Sequence, residues 1–352
     1  MFTIPLWVIA DGVFGYERLQ PALEAWPESR LSHDITQLAR SPVGVRSDWH
    51  GVRILDQHAV VACERIPRIV AFPLQGGPEK RFPLRPRNEL EELYPPIDIA
   101  IDSAENTVWA LDGGRDLLSL TFEDGDWTPP LRQRLPVQMQ FATFNRRADE
   151  LLVTSVQVSG PFPRTLLRVD ISDPHNSAFT IVDLNDPEAK LPMPRESLWV
   201  PPLKQLLLAP DFGTHIYAAN IDTGLASKWL EAPTMNGKMI WLPARQEIAL
   251  ALPNRFEMWF VDPENPKNVR KVPTQPGVRA VAIDEERNLM ITASVLTGSL
   301  WVQDLESGRV LKRAGTVMPM IREMAIDSSL GVAVLTTWAA VYKFDYLAGT
   351  GI

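Results

Sequence analysis

The sequence predicts an all-β protein in which seven repeated, strand-rich units close into a ring. Short runs of β-branched and aromatic residues alternate with polar residues, and Pro, Gly, Asn and Asp bound the runs. Similar units recur along the chain, and the last unit stops one strand short. A helical period occurs only in "ERLQPALEAW" (17–26), where Pro21 limits the prediction to one short helix.

The repeats define the architecture. "VRAVAIDEERNLMITAS" begins at Val278, "IREMAIDSSLGVAVLTT" at Ile321, and "PIDIAIDSAENTVWALD" covers 96–112. With four weaker copies, the turns fall at residues 56, 102, 145, 202, 243, 284 and 327, so the units are 41 to 57 residues long. This length is typical of a β-propeller blade. The longest interval contains 173–197, which we interpret as a loop insertion.

The last unit supplies three strands before the chain ends in "YLAGTGI". A ring with an incomplete blade would expose an unpaired strand edge. Asp34–Arg40 alternates as the outer strands do, so we predict that it completes the last blade and closes the ring. The predicted organisation is an N-terminal arm (1–31) followed by a seven-bladed β-propeller (32–352).

In repeat length and strand plan, residues 32 to 352 resemble the broad superfamily of seven-bladed propellers, the WD40-like and YVTN-like group. The units lack the Gly-His and Trp-Asp pairs of true WD40 repeats, and "WVQD" (301–304) only approximates the second pair. The tryptophans do not recur once per blade, as they do in propellers that bind a quinone cofactor. The resemblance therefore implies the architecture and no specific family.

The net charge and the cysteine content argue against several classes of protein function. A net charge of -8 argues against general binding of nucleic acid or of an anionic membrane, since both need a positive field. The one cysteine, Cys63, excludes an intrachain disulfide framework and a multi-cysteine zinc site. It lies in the apolar run "AVVAC", which predicts a buried, inert thiol.

The N-terminus has about ten near-apolar residues before Asp11, roughly half of a bilayer span. It lacks a basic region and a signal-peptidase site, so no signal peptide is predicted. We favour a segment packed on the domain surface. The alternative is that a membrane anchor precedes Met1 in a longer protein, which would tether the propeller to a membrane or place it in the periplasm. The compartment stays unassigned.

One face of the predicted ring gathers positive side chains. Loops that enter the inner strands and loops that join the second and third strands share this top face. Counting back five residues from the turn positions gives Lys238, Arg279, Arg322 and Gln140 at one repeated place. The candidate binding residues are Arg46, Trp49, His50, Arg65, Arg115, His215, Lys238, Arg255, Arg279, Arg322 and Trp338.

These cations have two interpretations. Guanidinium groups around a channel mouth would bind carboxylates or phosphates and attract an acidic partner. The favoured alternative is that they pair with nearby acids and hold the loops, because equivalent positions in repeats look alike for structural reasons. The nearby acids are Glu64, Asp116, Glu196, Glu257 and Glu323. Trp49 and Trp338 fall in predicted top-face loops, and we expect them to be exposed contact residues.

No sequence motif indicates a catalytic or cofactor site. The five histidines are scattered, and no acidic stretch has the spacing of a calcium loop. A G-x-S-x-G nucleophile motif and a glycine-rich phosphate loop are missing from the sequence. We therefore predict neither metal nor cofactor, with the reservation that catalytic carboxylates from different blades leave no local pattern.

The leading functional hypothesis is a non-enzymatic binding or scaffold module that presents an Arg-rich top face to a protein partner or an acidic ligand. The alternative is a lactonase-type or other hydrolytic propeller enzyme with its site at the channel mouth. The enzyme would need a deep pocket with a carboxylate or histidine of perturbed pKa among the arginines. The binding module would show a broad, shallow surface whose charges are paired.

Overall fold

The computed structural model describes most of the chain. The described residues are 31–40, 49–63, 68–84, 98–112, 116–137, 139, 142–155, 164–173, 177–185, 191–192, 194–210, 212–235 and 238–350. The predicted arm, the short helix within it and several top-face loops lie outside these residues. No helix in the described ranges has the length and apolar character that crossing a membrane requires.

The described chain forms seven antiparallel sheets, each with four main strands. Blade 1 is β2 (Trp49–Leu55), β3 (His58–Cys63), β4 (Arg68–Pro73) and β5 (Lys80–Pro83); blade 2 is β6 (Ile99–Asp102), β7 (Thr107–Asp112), β8 (Asp116–Glu123) and β10 (Leu131–Arg134), with β9 (Asp126–Trp127) paired to β8; blade 3 is β11 (Ala142–Arg147), β12 (Glu150–Ser155), β13 (Thr165–Asp170) and β14 (Phe179–Asp183). Blade 4 is β15 (Pro194–Val200), β16 (Gln205–Pro210), β17 (Phe212–Ala219) and β18 (Ala226–Met235); blade 5 is β19 (Met239–Leu242), β20 (Glu247–Leu252), β21 (Glu257–Val261) and β22 (Val269–Pro273). Blade 6 is β23 (Val278–Asp284), β24 (Leu289–Ser294), β25 (Ser299–Asp304) and β26 (Val310–Thr316); blade 7 is β27 (Ile321–Asp327), β28 (Val332–Thr337), β29 (Ala340–Asp345) and β1 (Ile35–Arg40).

Burial follows the position of a strand within its blade. The second strands are sandwiched between neighbouring blades, and in β24 and β28 every side chain is buried. The outermost strands have one side toward solvent, as the exposed lysine and arginine of "KRFP" in β5 show. Inner strands of successive blades are adjacent, including β2 beside β27, except that β23 of blade 6 contacts β20 of blade 5; the ring is therefore closed. The protein is a seven-bladed β-propeller, as the repeats predict.

Closure by the N-terminal strand is confirmed. β1 pairs antiparallel with β29, from Ile35 opposite Phe344 to Arg40 opposite Ala340. A closure cluster (Ser32, Asp34 and Lys312) joins this strand to blade 6, because the Lys312 ammonium lies 2.5 Å from the Asp34 carboxylate. Burial acts to raise the pKa of Asp34, but the Lys312 and Ser32 hydrogen bonds outweigh it and hold that pKa below its usual value.

The longest repeat interval is not simply a loop insertion. Part of 173–197 forms β14, the outer strand of blade 3, whose Phe179 pairs with Val169. This interval is long because three connections in it add length, with nine residues between β12 and β13, eight between β13 and β14 and ten between β14 and β15. The buried position of Cys63, by contrast, is confirmed.

The tight turn of blade 6 provides a test of the packing. Gly298 has φ +71°, and a Cβ atom at that position would lie 2.0 Å from the Val317 carbonyl oxygen. Gly76 also has a positive φ, but nothing lies within 4 Å of its Cβ position. We expect Gly298→Ala to lower the free energy of unfolding by about 3 kcal/mol and Gly76→Ala by about 1 kcal/mol. Urea titration would measure both, and equal losses would contradict the close approach.

Candidate functional site

Equivalent positions of the inner strands supply most of the residues that line the channel. The last residue of each inner strand that pairs with the second strand supplies a common reference point. Four residues before it, the blades contribute Gly51, Asp98, Thr143, Glu196, Lys238, Ala280 and Glu323 in blade order. Two residues before it they contribute Arg53, Ala100, Asn145, Leu198, Ile240, Ala282 and Ala325. The first layer is therefore mostly polar and the second mostly apolar.

Five of these side chains form a chain of ion pairs, which we term the collar (Arg53, Asp98, Glu196, Lys238 and Glu323). Arg53 Nη2 lies 2.8 Å from Asp98 Oδ1, and Arg53 Nη1 lies 2.9 Å from Glu323 Oε1. The Lys238 ammonium lies 2.8 Å from Glu323 Oε1 and 2.8 Å from Glu196 Oε1. The charges alternate along the collar, which begins and ends on a carboxylate.

Backbone groups hold two of the three collar carboxylates in place. Asp98 accepts hydrogen bonds from the Ile99 and Phe144 amides, at 2.9 and 3.1 Å. Glu323 Oε2 accepts one from the Val52 amide at 3.3 Å. The Asp98 and Glu323 side chains are each only 10% exposed, whereas Lys238 is 26% exposed. The carboxylates are thus oriented by neighbouring blades as well as by their own.

A cavity of about 410 Å³ lies in the channel against the collar. All five collar residues line it, with Asn145 and Ser197 as further polar groups. Its remaining walls are apolar and include Leu198, Ile240 and Trp241. This volume and this mixture of apolar walls with a few oriented polar groups are typical of a small-molecule site.

The collar carboxylates differ in their pKa. Burial acts to raise the pKa of Glu323, but Arg53 and Lys238 outweigh it and hold that pKa at about 2. Burial raises the pKa of Asp98 and of Glu196, and for each of them one principal cation offsets this only in part. The two ends of the collar are therefore more easily protonated than ordinary carboxyl groups.

The strand register shows that the predicted cations do not all occupy one equivalent position of the repeats, contrary to what the sequence count indicated. Lys238 is equivalent to Ala280 and Glu323, not to Arg279 and Arg322. The turn residue Pro243 follows the last paired residue of its strand, whereas the turn residues of blades 6 and 7 are themselves the last paired ones. A one-residue shift moves a side chain to the other face of a strand, so the count grouped side chains that do not share a place.

Arg279 and Arg322 instead lie at β-bulges near the top of their inner strands. Arg195 has the same place in blade 4, directly before Glu196. These arginines neighbour the collar in sequence, and the Arg322 guanidinium lies 5.4 Å from the centre of the Trp338 ring. The binding of a protein partner or an acidic ligand by these arginines remains a prediction.

The expected exposure of Trp49 and Trp338 is wrong. Trp49 is the first residue of β2 and 2% exposed, and Trp338 lies between β28 and β29 with no exposed area. Each ring lies near an arginine, with the Arg68 guanidinium 5.0 Å from the centre of the Trp49 ring and Arg322 beside Trp338. The large rings fill the ends of the blades, where interblade packing removes them from solvent.

The remaining candidates are not gathered at the cavity. His50 follows Trp49 in β2, and its carbonyl accepts a hydrogen bond from Thr336. His215 lies in β17, 2.8 Å from the Thr214 hydroxyl, and Arg255 is exposed in the turn before β21. Some predicted residues lie outside the described part of the chain: Arg46, Arg65, Arg115 and Gln140.

Sequence reasoning placed Lys238 in the site and proposed Glu196 and Glu323 only as partners of cations. It missed Arg53 and Asp98. Arg53 was missed because it is an ordinary polar residue in the alternating pattern of a strand. Asp98 was missed because it is one of several acidic residues before β6. A count from the last paired residue of each unit would have aligned Asp98 with Glu196 and Glu323. No group of histidine, cysteine and carboxylate side chains suited to a metal ion occurs among the described residues.

Fold and site together define a seven-bladed propeller with a charged collar in its channel. The sequence matches no protein-family model and no curated protein. Similar solved structures include streptogramin B lyase (TM-score 0.65, 10% identity, 88% of this chain and 96% of the other). Another is virginiamycin B lyase from Staphylococcus aureus (TM-score 0.63, 10% identity, 88% of this chain and 98% of the other). A third is the Cps50 (Swd1) propeller domain from Myceliophteria thermophila (TM-score 0.59, 9% identity, 87% of this chain and 98% of the other). At sequence identities of 9% and 10%, the similarity shows that this chain has the same fold as these proteins.

Proposed function

We propose that this propeller is a binding module that receives a small ligand in the channel cavity at the collar. One observation carries the proposal: charged side chains from five blades line a cavity whose other walls are largely apolar. This arrangement orients a ligand through its polar end and buries its apolar part.

Structural stability alone gives no reason for the collar. Removing charges from water costs several kcal/mol per ion, and apolar side chains of similar volume often stabilise a protein more. The second channel layer shows the apolar solution, since Leu198, Ile240 and Ala282 occupy positions equivalent to Arg53. A cavity-lining role accounts for charges that packing does not require.

Filling the cavity tests the proposal. Ala325 lines the cavity and is no part of the collar, so Ala325→Phe should block ligands while the ion pairs remain. We expect small molecules that bind the wild type in ligand-observed NMR to lose at least tenfold in affinity for this variant. The control is Ala325→Ser, which leaves the space open and should bind as the wild type does. Equal binding by all three proteins would contradict a site in the channel.

A second candidate function is acid–base catalysis at the same cavity. The observation that favours it is the raised pKa of Asp98 and Glu196 beside Arg53 and Lys238, because perturbed carboxyl groups in clefts are frequent catalytic groups. Mass spectrometry of compounds that bind would separate the two functions. A binding module returns its ligand unchanged, whereas an enzyme would convert it, and Asp98→Asn would then reduce the rate of conversion by a larger factor than the affinity.

A further inference from the structure

We propose that the ligand carries a single positive charge, as an amine or guanidine does, and places it between Asp98 and Glu196. This inference rests on the proposed binding function and specifies its ligand class. The order of charges around the channel, which is interrupted at one blade, indicates this charge and this position.

The collar runs around most of the channel. It passes from Asp98 in blade 2 to Arg53 in blade 1, then to Glu323 in blade 7, and from there to Lys238 and Glu196 in blades 5 and 4. Blade 6 contributes the small apolar Ala280 at this level, and Lys238 reaches past it. Negative and positive charges alternate at every step.

Blade 3 interrupts this order. It lies between blades 2 and 4, so the two carboxylate ends of the collar, Asp98 and Glu196, face the channel on either side of it. At the equivalent position blade 3 has Thr143, whose hydroxyl lies 2.6 Å from that of Ser197. Asn145 donates to the Ser197 carbonyl and accepts from the Trp199 amide. The polar groups of blade 3 thus join blades 3 and 4 and supply no cation.

The collar has one carboxylate more than it has cations. Glu323 is paired with both cations, whereas Asp98 is paired with Arg53 and Glu196 with Lys238. The negative charge of Asp98 also acts to raise the pKa of Glu196. One added positive charge between these two carboxylates would complete an alternating ring of three acids and three cations. A protonated amine fits because it donates several hydrogen bonds to carboxylate oxygens.

The cavity also has room for an apolar body attached to the charge. Leu198, Ile240 and Trp241 line it and are only partly buried, so their apolar surfaces are available to a ligand. The volume of about 410 Å³ accommodates a molecule with a ring and a short aliphatic arm. The ligand class is therefore a small monocation with an apolar part.

Three probes of one shape and different charge test this inference: phenethylamine, 2-phenylethanol and phenylacetate. Affinities would be measured by calorimetry or ligand-observed NMR at pH 7 and low salt. We expect phenethylamine to bind at least about tenfold more tightly than either other probe, because only its ammonium group can donate charge-assisted hydrogen bonds to both carboxylates. Equal or weaker binding of the amine would overturn the inference and leave the proposed binding function intact. Failure of all three probes to bind would overturn both.

Variants locate the charge within the channel. Glu196→Gln should reduce phenethylamine affinity about tenfold and leave 2-phenylethanol affinity unchanged. Thr143→Lys places a lysine at the position equivalent to Lys238 and should abolish the preference for the amine, whereas Thr143→Met adds similar bulk without charge and should keep the preference. An amine preference that persists in both Glu196→Gln and Thr143→Lys would contradict a site between Asp98 and Glu196.

Discussion

A chain that begins at Ser41, and so lacks β1, is expected to be less stable by about 5 kcal/mol, with a fall in melting temperature of about 10 °C. The loss has two physical sources. β29 becomes the unpaired outer edge of blade 7, and the buried Ile35 side chain leaves the core between blades 6 and 7. The closure cluster adds to the loss, because Lys312 would no longer meet the Asp34 carboxylate.

The matched control is a chain that begins at Leu31, which keeps β1 and the closure cluster and lacks residues 1–30 as the shorter chain does. Adding the peptide LSHDITQLAR to the shorter chain should restore part of the melting temperature, since its backbone can pair with β29. Calorimetry would measure all three proteins. Equal melting temperatures for chains that begin at Leu31 and Ser41 would show that β1 does not hold the ring together.

Replacing Lys238 by methionine is expected to lower the free energy of unfolding by about 3–5 kcal/mol at pH 8. The substitution keeps most of the side-chain volume and removes one of the two collar cations. Glu196 then has no principal cation, and Glu323 retains only Arg53. Three buried carboxylates would share one positive charge, which is the arrangement that burial penalises most strongly.

The sign of the pH dependence follows from the same contacts. Loss of Lys238 raises the folded-state pKa of Glu196 and Glu323, so the folded variant binds protons at a higher pH than the unfolded chain does. Its stability should therefore recover as the pH falls from 8 to 5, and the deficit relative to the wild type should narrow. Urea titrations at both pH values would measure this. A deficit independent of pH would show that packing, not charge, is responsible.

A double substitution separates charge balance from the loss of a specific pair. Lys238→Met with Glu196→Gln returns the collar to the wild-type excess of one carboxylate and should recover much of the lost stability. The coupling energy between the two sites is expected to exceed 1 kcal/mol, since the residues are in direct contact. Additive effects would contradict the ion pair as the source of the destabilisation.

The blade pattern could be predicted because a half-buried strand leaves a period of two in the sequence. "VRAVAID" and "IREMAID" each show alternating apolar residues before a turn, and both are inner strands. The closing strand was predictable for a related reason, since an incomplete last blade requires a partner and Asp34–Arg40 had a suitable pattern. The strand β14 escaped prediction because its short, half-exposed pattern lies within a polar, proline-containing segment.

The sequence by itself determined the ring, because seven alternating units of blade length and one closing strand bury their apolar faces against each other when the ring closes. The tertiary structure alone decided the site, because its five charges lie in separate blades and meet only when the ring closes. Their place in the channel also depends on turns and β-bulges that shift the register by one residue, as the comparison of Lys238 with Arg279 and Arg322 shows. The alternation of apolar and polar residues within a strand indicates which side chains are buried. The pairing of buried charges depends instead on distances between strands that are far apart in the chain.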